Sequence, residues 1–401
     1  MEFFLTTSIQ KRRLALFAFF FIPGLSMASW VTRTPAIRDS LGVSIAEMGA
    51  VLFGLSVGSM TGILSAGALV GRFGTRKVMF TGLCFIILSL ATLAFGVTIA
   101  SSLTVALGLA FFGLGVGAAE IAVNIDGADV ECITGKHLLH ALHGFFSLGT
   151  VFGALISIAL NALHFPVAWH MAVIALICIP VIATAIRHIP VTSVVQEGEG
   201  THTDGSARHT PVWKEPVVLL IGFIVLAMAL AEGAANDWLP LLMVDEYGFS
   251  PTAGSMVFLG FATAMTVGRF GGGVLLNRYG RAAVVAVSAV TGAAGIAIVI
   301  FASHPALAAV AVILWGLGAS LGFPVALSAA GDSGPNGAAR VKIVAVAGYV
   351  AFLVGPPLLG FVGEEYGLRN AMIVVLVLVA LATFCAPAIQ RRGAGAKVVE
   401  V

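Results

Sequence analysis

Apolar runs of about 20 residues, the length a helix needs to cross the hydrocarbon core of a bilayer, recur along the whole chain between short polar breaks. Twelve can be drawn, at roughly 14–32, 46–70, 78–99, 103–125, 139–163, 167–186, 217–239, 252–275, 283–302, 305–329, 342–362 and 368–389. The pattern predicts an all-α membrane protein with twelve transmembrane helices. One long hydrophilic stretch, 187–216, interrupts it, with the composition of a flexible tether. The expected organisation is therefore a six-helix bundle over 1–186, a cytoplasmic linker over 187–216, and a second six-helix bundle over 217–401 that ends in a short cytoplasmic tail.

The two halves share their punctuation. Gly54, Gly62, Gly67, Arg72 and Gly74 are matched 206 residues later by Gly260, Gly268, Gly273, Arg278 and Gly280. Leu41-Gly42-x-Ser44 is matched at the same offset by Tyr247-Gly248-x-Ser250. A fixed offset of about half the chain marks a duplicated unit, so the two bundles are expected to be pseudo-symmetric. Two like halves in a membrane with a site between them is the plan of a secondary transporter.

Composition agrees with that plan: 59% of the 401 residues are hydrophobic and only 10% charged. With the amino terminus inside, eighteen of the 21 Lys and Arg fall on the cytoplasmic side, Arg12 and Arg269 counted among them, and Arg33, Arg38 and Arg369 on the other. Positive flanks stay in the cytoplasm, so both termini are expected there. The first apolar run continues through Pro23, Gly24 and Trp30 without a small-residue cleavage site and reads as a retained span. A net charge of +2 spread over loops gives no basic face for nucleic acid. The four cysteines, Cys84, Cys132, Cys178 and Cys385, have no metal-like spacing, and neither a metal nor any other cofactor is expected.

The turn after the second run reads Gly67-Ala-Leu-Val-Gly71-Arg72-Phe-Gly74-Thr-Arg76-Lys77, and its second copy Gly273-Val-Leu-Leu-Asn277-Arg278-Tyr-Gly280-Arg281. Both resemble the loop signature of the major facilitator superfamily. Four further segments, 28–39, 143–149, 231–240 and 316–324, are similar to a bacterial inner-membrane subgroup of that family, distantly related to the fucose permeases. The resemblance implies the major facilitator fold, alternating access, a small-molecule substrate, a bacterial inner membrane and a monomer. It makes Arg72, Arg76, Asn277 and Arg278 the gating candidates. Both copies depart from the family at its acidic position, occupied here by Gly71 and Asn277, so a latch of that type is in doubt. The fifth run only partly echoes the family's antiporter signature, in Gly149-Thr150-Val-Phe-Gly153-Ala154, which favours symport. No nucleotide-binding loop is present, so the expected energy source is an ion gradient, most simply protons.

Ionisable groups deep in a span are costly and need a reason. The twelve runs place two carboxylates well inside, Glu120 in the fourth and Glu232 in the seventh. Glu120 and Asn124 share a helix face, as do Glu232 and Asn236. Glu120-Ile-Ala-Val-Asn124 resembles the glutamate and asparagine pair that the fucose permease group links to proton movement. The fifth run brings His143 to a similar depth, and a carboxylate and an imidazole that meet there can exchange a proton near neutral pH. The competing reading is a permanent polar contact between the fourth and fifth helices. Substrate contacts are expected from Asn124, Ser147, Glu232, Asn236, Trp315 and Tyr349. Asp237 is expected near the interface and solvated, Arg33 and Arg38 in a solvated outer loop, and Trp30 as an interfacial anchor or a cavity aromatic.

Overall fold

The structure, a computed structural model, describes residues 2–135, 138–191, 212–334 and 336–390. Most of the expected linker and the last residues of the chain lie outside the described residues. The described chain is helical almost throughout: α1 (Glu2–Val31), α2 (Thr34–Leu41), α3 (Ile45–Phe73), α4 (Thr75–Thr98), α5 (Ser102–Thr134), α6 (Leu139–Ala162), α7 (Val167–Ala185), α8 (Pro216–Tyr247), α9 (Pro251–Phe301), α10 (Pro305–Asp332), α11 (Gly337–Tyr366) and α12 (Leu368–Cys385). All but the short α2 are long and apolar enough to cross a membrane, which makes 11 candidate spans. As one straight rod α9 would reach about 77 Å, more than twice the ~30 Å hydrocarbon core. Its backbone leaves the helical region at Gly280 (φ 77, ψ 165), so α9 is two crossings folded at one glycine. Twelve crossings result.

The duplication is visible in the backbone. Gly74 takes φ 81 and ψ 159, the same turn as Gly280 at its matched position. Residues with a Cβ avoid this region, which is why the glycine recurs in both copies. Gly42 and Gly248 close α2 and α8 in the left-handed conformation (φ 64 and φ 67). Ser44 and Ser250 then cap α3 and α9, each Oγ accepting a backbone N–H three residues on at 3.2 Å.

At the end of the molecule away from the chain termini the two bundles are in contact. There α3 packs along α11, α6 along the first arm of α9, and α2 against α8. Glycine sets the first approach: a Cβ on Gly360 would stand 3.0 Å from Gly49 Cα and 3.1 Å from Ile45 O. Arg38 of α2 pairs with Asp245 of α8. Glu364 of α11 accepts the Ala46 N–H in the first turn of α3 (3.1 Å), and Asn161 donates to Ser255 Oγ (3.0 Å). Arg38 is thus part of a seal between bundles rather than a solvated loop. Arg33 also departs from expectation: it is 4% exposed, and its Nε donates to Nδ1 of the buried His170 (3.3 Å).

α5 runs nine residues beyond the expected end of the fourth span, because polar Asp126 is accommodated inside the bundle. Arg12 of α1 grips it with Nε on Oδ2 (2.8 Å) and Nη2 on Oδ1 (2.7 Å). Asp126 is fully buried. A buried carboxylate needs such a partner, and the pair leaves Arg12 only 11% exposed.

Candidate functional site

Between the bundles lies a cavity of about 1490 Å³. It begins beneath the sealed end, where Ser56 Oγ of α3 donates to Phe352 O of α11 (2.6 Å), and runs toward the end carrying the termini. Gly280, Arg281, Val341 and Gln390 line that lower part. The volume exceeds the roughly 300–1,000 Å³ of ordinary ligand pockets, leaving room for a small solute and its water.

Most of the residues expected to act together do line this cavity: Glu120 and Asn124 from α5, His143 from α6, Glu232 and Asn236 from α8, Asn277 from α9 and Tyr349 from α11. The central feature is an arginine. Arg269, on the first arm of α9, donates through Nη2 to Glu232 Oε1 (2.8 Å) and through Nη1 to Ser147 Oγ (2.9 Å). Ser147 lies one turn from His143, whose backbone oxygen accepts the Ser147 hydroxyl (3.3 Å). The chain Glu232–Arg269–Ser147 therefore crosses from one bundle to the other at mid-membrane. Gly144 leaves room for a neighbouring ring, since a Cβ there would come within 2.4 Å of Phe270 Cζ on the first arm of α9.

Glu120 faces this chain from α5. Its charged neighbours are Arg269 and Glu232, and Tyr349 feels its charge in turn. Among the described residues its carboxylate has no hydrogen-bond or ion-pair partner. Asp237, on the same helix as Glu232, also lines the cavity without such a partner and is only 5% exposed. The expectation that it is solvated is corrected by its burial in α8.

Other expected site residues lie elsewhere. Trp315 is fully buried away from the cavity lining, its Nε1 donating to Ala231 O (3.1 Å), which makes it a packing strut between α10 and α8. Trp30 is also buried, 1% exposed and edge-on to Phe112, and so is not an interfacial anchor. Arg72 and Arg278 are exposed at the termini end, each 5.4 Å above the ring of the next residue, Phe73 or Tyr279. Arg76 is half-buried in the first turn of α4, and neither it, Arg72 nor Arg278 lines the cavity.

The sequence pattern does not single out Arg269 or Asp126. The charge pattern groups Arg269 with the cytoplasmic charges although it falls inside the 252–275 run, where an arginine within an apolar run is the available signal. Asp126 fell one residue past a drawn span end, within the ordinary uncertainty of such boundaries.

A sequence profile of the Major Facilitator Superfamily matches residues 14–341 and, again, 221–397. An uncharacterized MFS-type transporter of Yersinia pestis is 31% identical over 379 residues, covering 93% of this chain and 94% of its own. Among solved structures, a variant of the nucleoside transporter NupG superposes with a TM-score of 0.76 at 13% identity, over 94% of this chain and 99% of that one. A variant of the Escherichia coli fucose:proton symporter FucP gives 0.62 at 17% identity, over 94% and 98%. At such identities the structures speak for the fold.

Proposed function

We propose, for a chain that belongs to the Major Facilitator Superfamily of membrane transporters, that it moves a small solute by alternating access and couples that movement to protons carried by Glu120. The observation that carries the reading is the placement of Glu120: a carboxylate without a hydrogen-bond partner, on the cavity wall, opposite the Glu232–Arg269 pair. A lone charge in that setting is unfavourable, so the site gains by taking a proton when Arg269 is engaged and by releasing it when the bundles rock and the field of Arg269 changes. His143, exposed on the same wall, is the relay between Glu120 and the aqueous mouth. Asn124, Asn236 and Tyr349 supply neutral hydrogen bonds to the solute, while Ser147 and Glu232 hold Arg269.

Symport is the direction we favour, and the two structural neighbours named for nucleoside transport and fucose:proton symport are in keeping with a small polar solute. Drug-type efflux, facilitated diffusion and ligand sensing without turnover are the rivals. Within the family we place the chain beside the inner-membrane protein YbjJ, in a bacterial plasma membrane, as a monomer with both termini cytoplasmic. On that orientation the cavity faces the cytoplasm.

The test uses Glu120→Gln, which keeps shape and removes titration. In proteoliposomes, accumulation driven by a proton gradient should vanish, while counterflow, which needs no net proton movement, persists. Accumulation that survives the substitution would overturn the assignment.

A further inference from the structure

The charges of the cavity do not balance. Among the described residues two guanidiniums reach it, and each already has a carboxylate in its own bundle: Arg269 with Glu232 (2.8 Å) and Arg281 with Asp332 (2.6 Å). Two acids are left over, Glu120 and Asp237. Glu120 has the field of Arg269 close by, whereas Asp237 has no hydrogen-bond or ion-pair partner among the described residues.

Position separates the two acids further. Asp237 lies five residues beyond Glu232 on α8, about 7.5 Å closer to the sealed end. That puts it at the upper limit of the cavity lining, one helical turn beyond Gly233, where a Cβ would stand 3.2 Å from Phe352. A carboxylate 5% exposed and without a partner, opening onto a solute-sized space in a membrane, lacks the compensation that buried charges require. Phe112, Phe323 and Phe352 line the same cavity, and aromatic rings attract a positive charge.

We propose that Asp237 is the recognition site for the charged end of an organic ammonium solute. The ammonium enters from the open end, travels to the top of the cavity and donates N–H bonds to the Asp237 carboxylate, with its apolar body against the phenylalanines. Anions are rejected, because both guanidiniums are committed and two carboxylates face the solute. The proposal rests on the reading of this cavity as the transport site and divides its work: Glu120 holds the proton, Asp237 the substrate cation.

The experiment is thermal-shift binding with the purified full-length chain and three probes of matched size, benzylamine, benzyl alcohol and benzoate. Benzylamine should stabilise the protein, and the alcohol and the carboxylate should not. Asp237→Asn should weaken the benzylamine effect at least about tenfold in half-saturating concentration, while Lys77→Ala, exposed outside the cavity, leaves it intact. Because poor folding of Asp237→Asn would blur that arm, a second measurement uses the unsubstituted protein. Benzylamine, but not benzyl alcohol, should protect Asp237 from dicyclohexylcarbodiimide, read by peptide mass spectrometry. Benzylamine binding that survives Asp237→Asn, equal binding of the three probes, no binding of benzylamine, or unprotected Asp237 would each overturn the proposal. The last two are the results expected if Asp237 permanently holds a proton. Failure of the proton reading shows elsewhere, as gradient-driven accumulation in Glu120→Gln, so the two can fail separately.

Discussion

At the sealed end, charged and polar groups reach from one bundle to the other: Arg38 to Asp245, Glu364 to the Ala46 N–H, Asn161 to Ser255. At the open end three ion pairs do the reverse. Arg12 with Asp126 (2.7 Å), Arg281 with Asp332 (2.6 Å) and Arg340 with Glu215 (2.5 Å) each join groups of a single bundle. Arg38–Asp245 and the Glu364–Ala46 contact are partly exposed, and an ion pair in such a setting is worth only about 0–1 kcal/mol, so the seal can break in every cycle. Arg12–Asp126 and Arg340–Glu215 are largely buried, and such pairs lose about 3–5 kcal/mol when one partner is removed and must not break, whereas Arg281–Asp332 is exposed and contributes little. The two ends thus separate what moves from what stays rigid, as rocking of two bodies requires.

The largest expected effect comes from the rigid class. Asp126→Asn leaves the Arg12 guanidinium, 11% exposed, facing a neutral amide and should destabilise the protein by about 3–5 kcal/mol, softened only by Asp129 at 3.5 Å. Thermal unfolding of detergent-purified protein measures this, and a loss below about 1 kcal/mol would remove the contrast between the two ends.

The next effect belongs to the seal. Gly360→Val drives a branched side chain against Gly49 and Ile45, where even a Cβ has only 3.0 Å of room. Overpacking of this kind costs about 1–3 kcal/mol, and parting the bundles relieves it. A cysteine placed at Ser56 in a cysteine-free background should then react faster with an impermeant maleimide added on the side opposite the termini. Unchanged reactivity would show that the seal does not depend on this contact.

The smallest effect on stability is expected at the loop signature. Arg278 is exposed over its own neighbour Tyr279, so Arg278→Ala should change stability by less than about 0.5 kcal/mol. It should nevertheless slow transport more than it lowers expression, because the residue stands where the open end must close. Normal rates in well-expressed protein would count against a gating role.

The sequence by itself determined the twelve crossings, the duplication and the family. Apolar run length, a 206-residue offset and a glycine that must take positive φ at positions 74 and 280 are all written locally along the chain. It also pointed to Glu120 and Glu232, since an acid in an apolar run announces itself. Only the tertiary structure decided who faces whom. Arg269 meets Ser147 across 122 positions of sequence and Arg12 meets Asp126 across 114, pairings that follow from how glycine-lined helices dock and not from any pattern within one helix. It likewise decided that Trp315 packs between helices and that Asp237 opens onto the cavity, because the burial of a residue on an apolar helix depends on the neighbour that covers it.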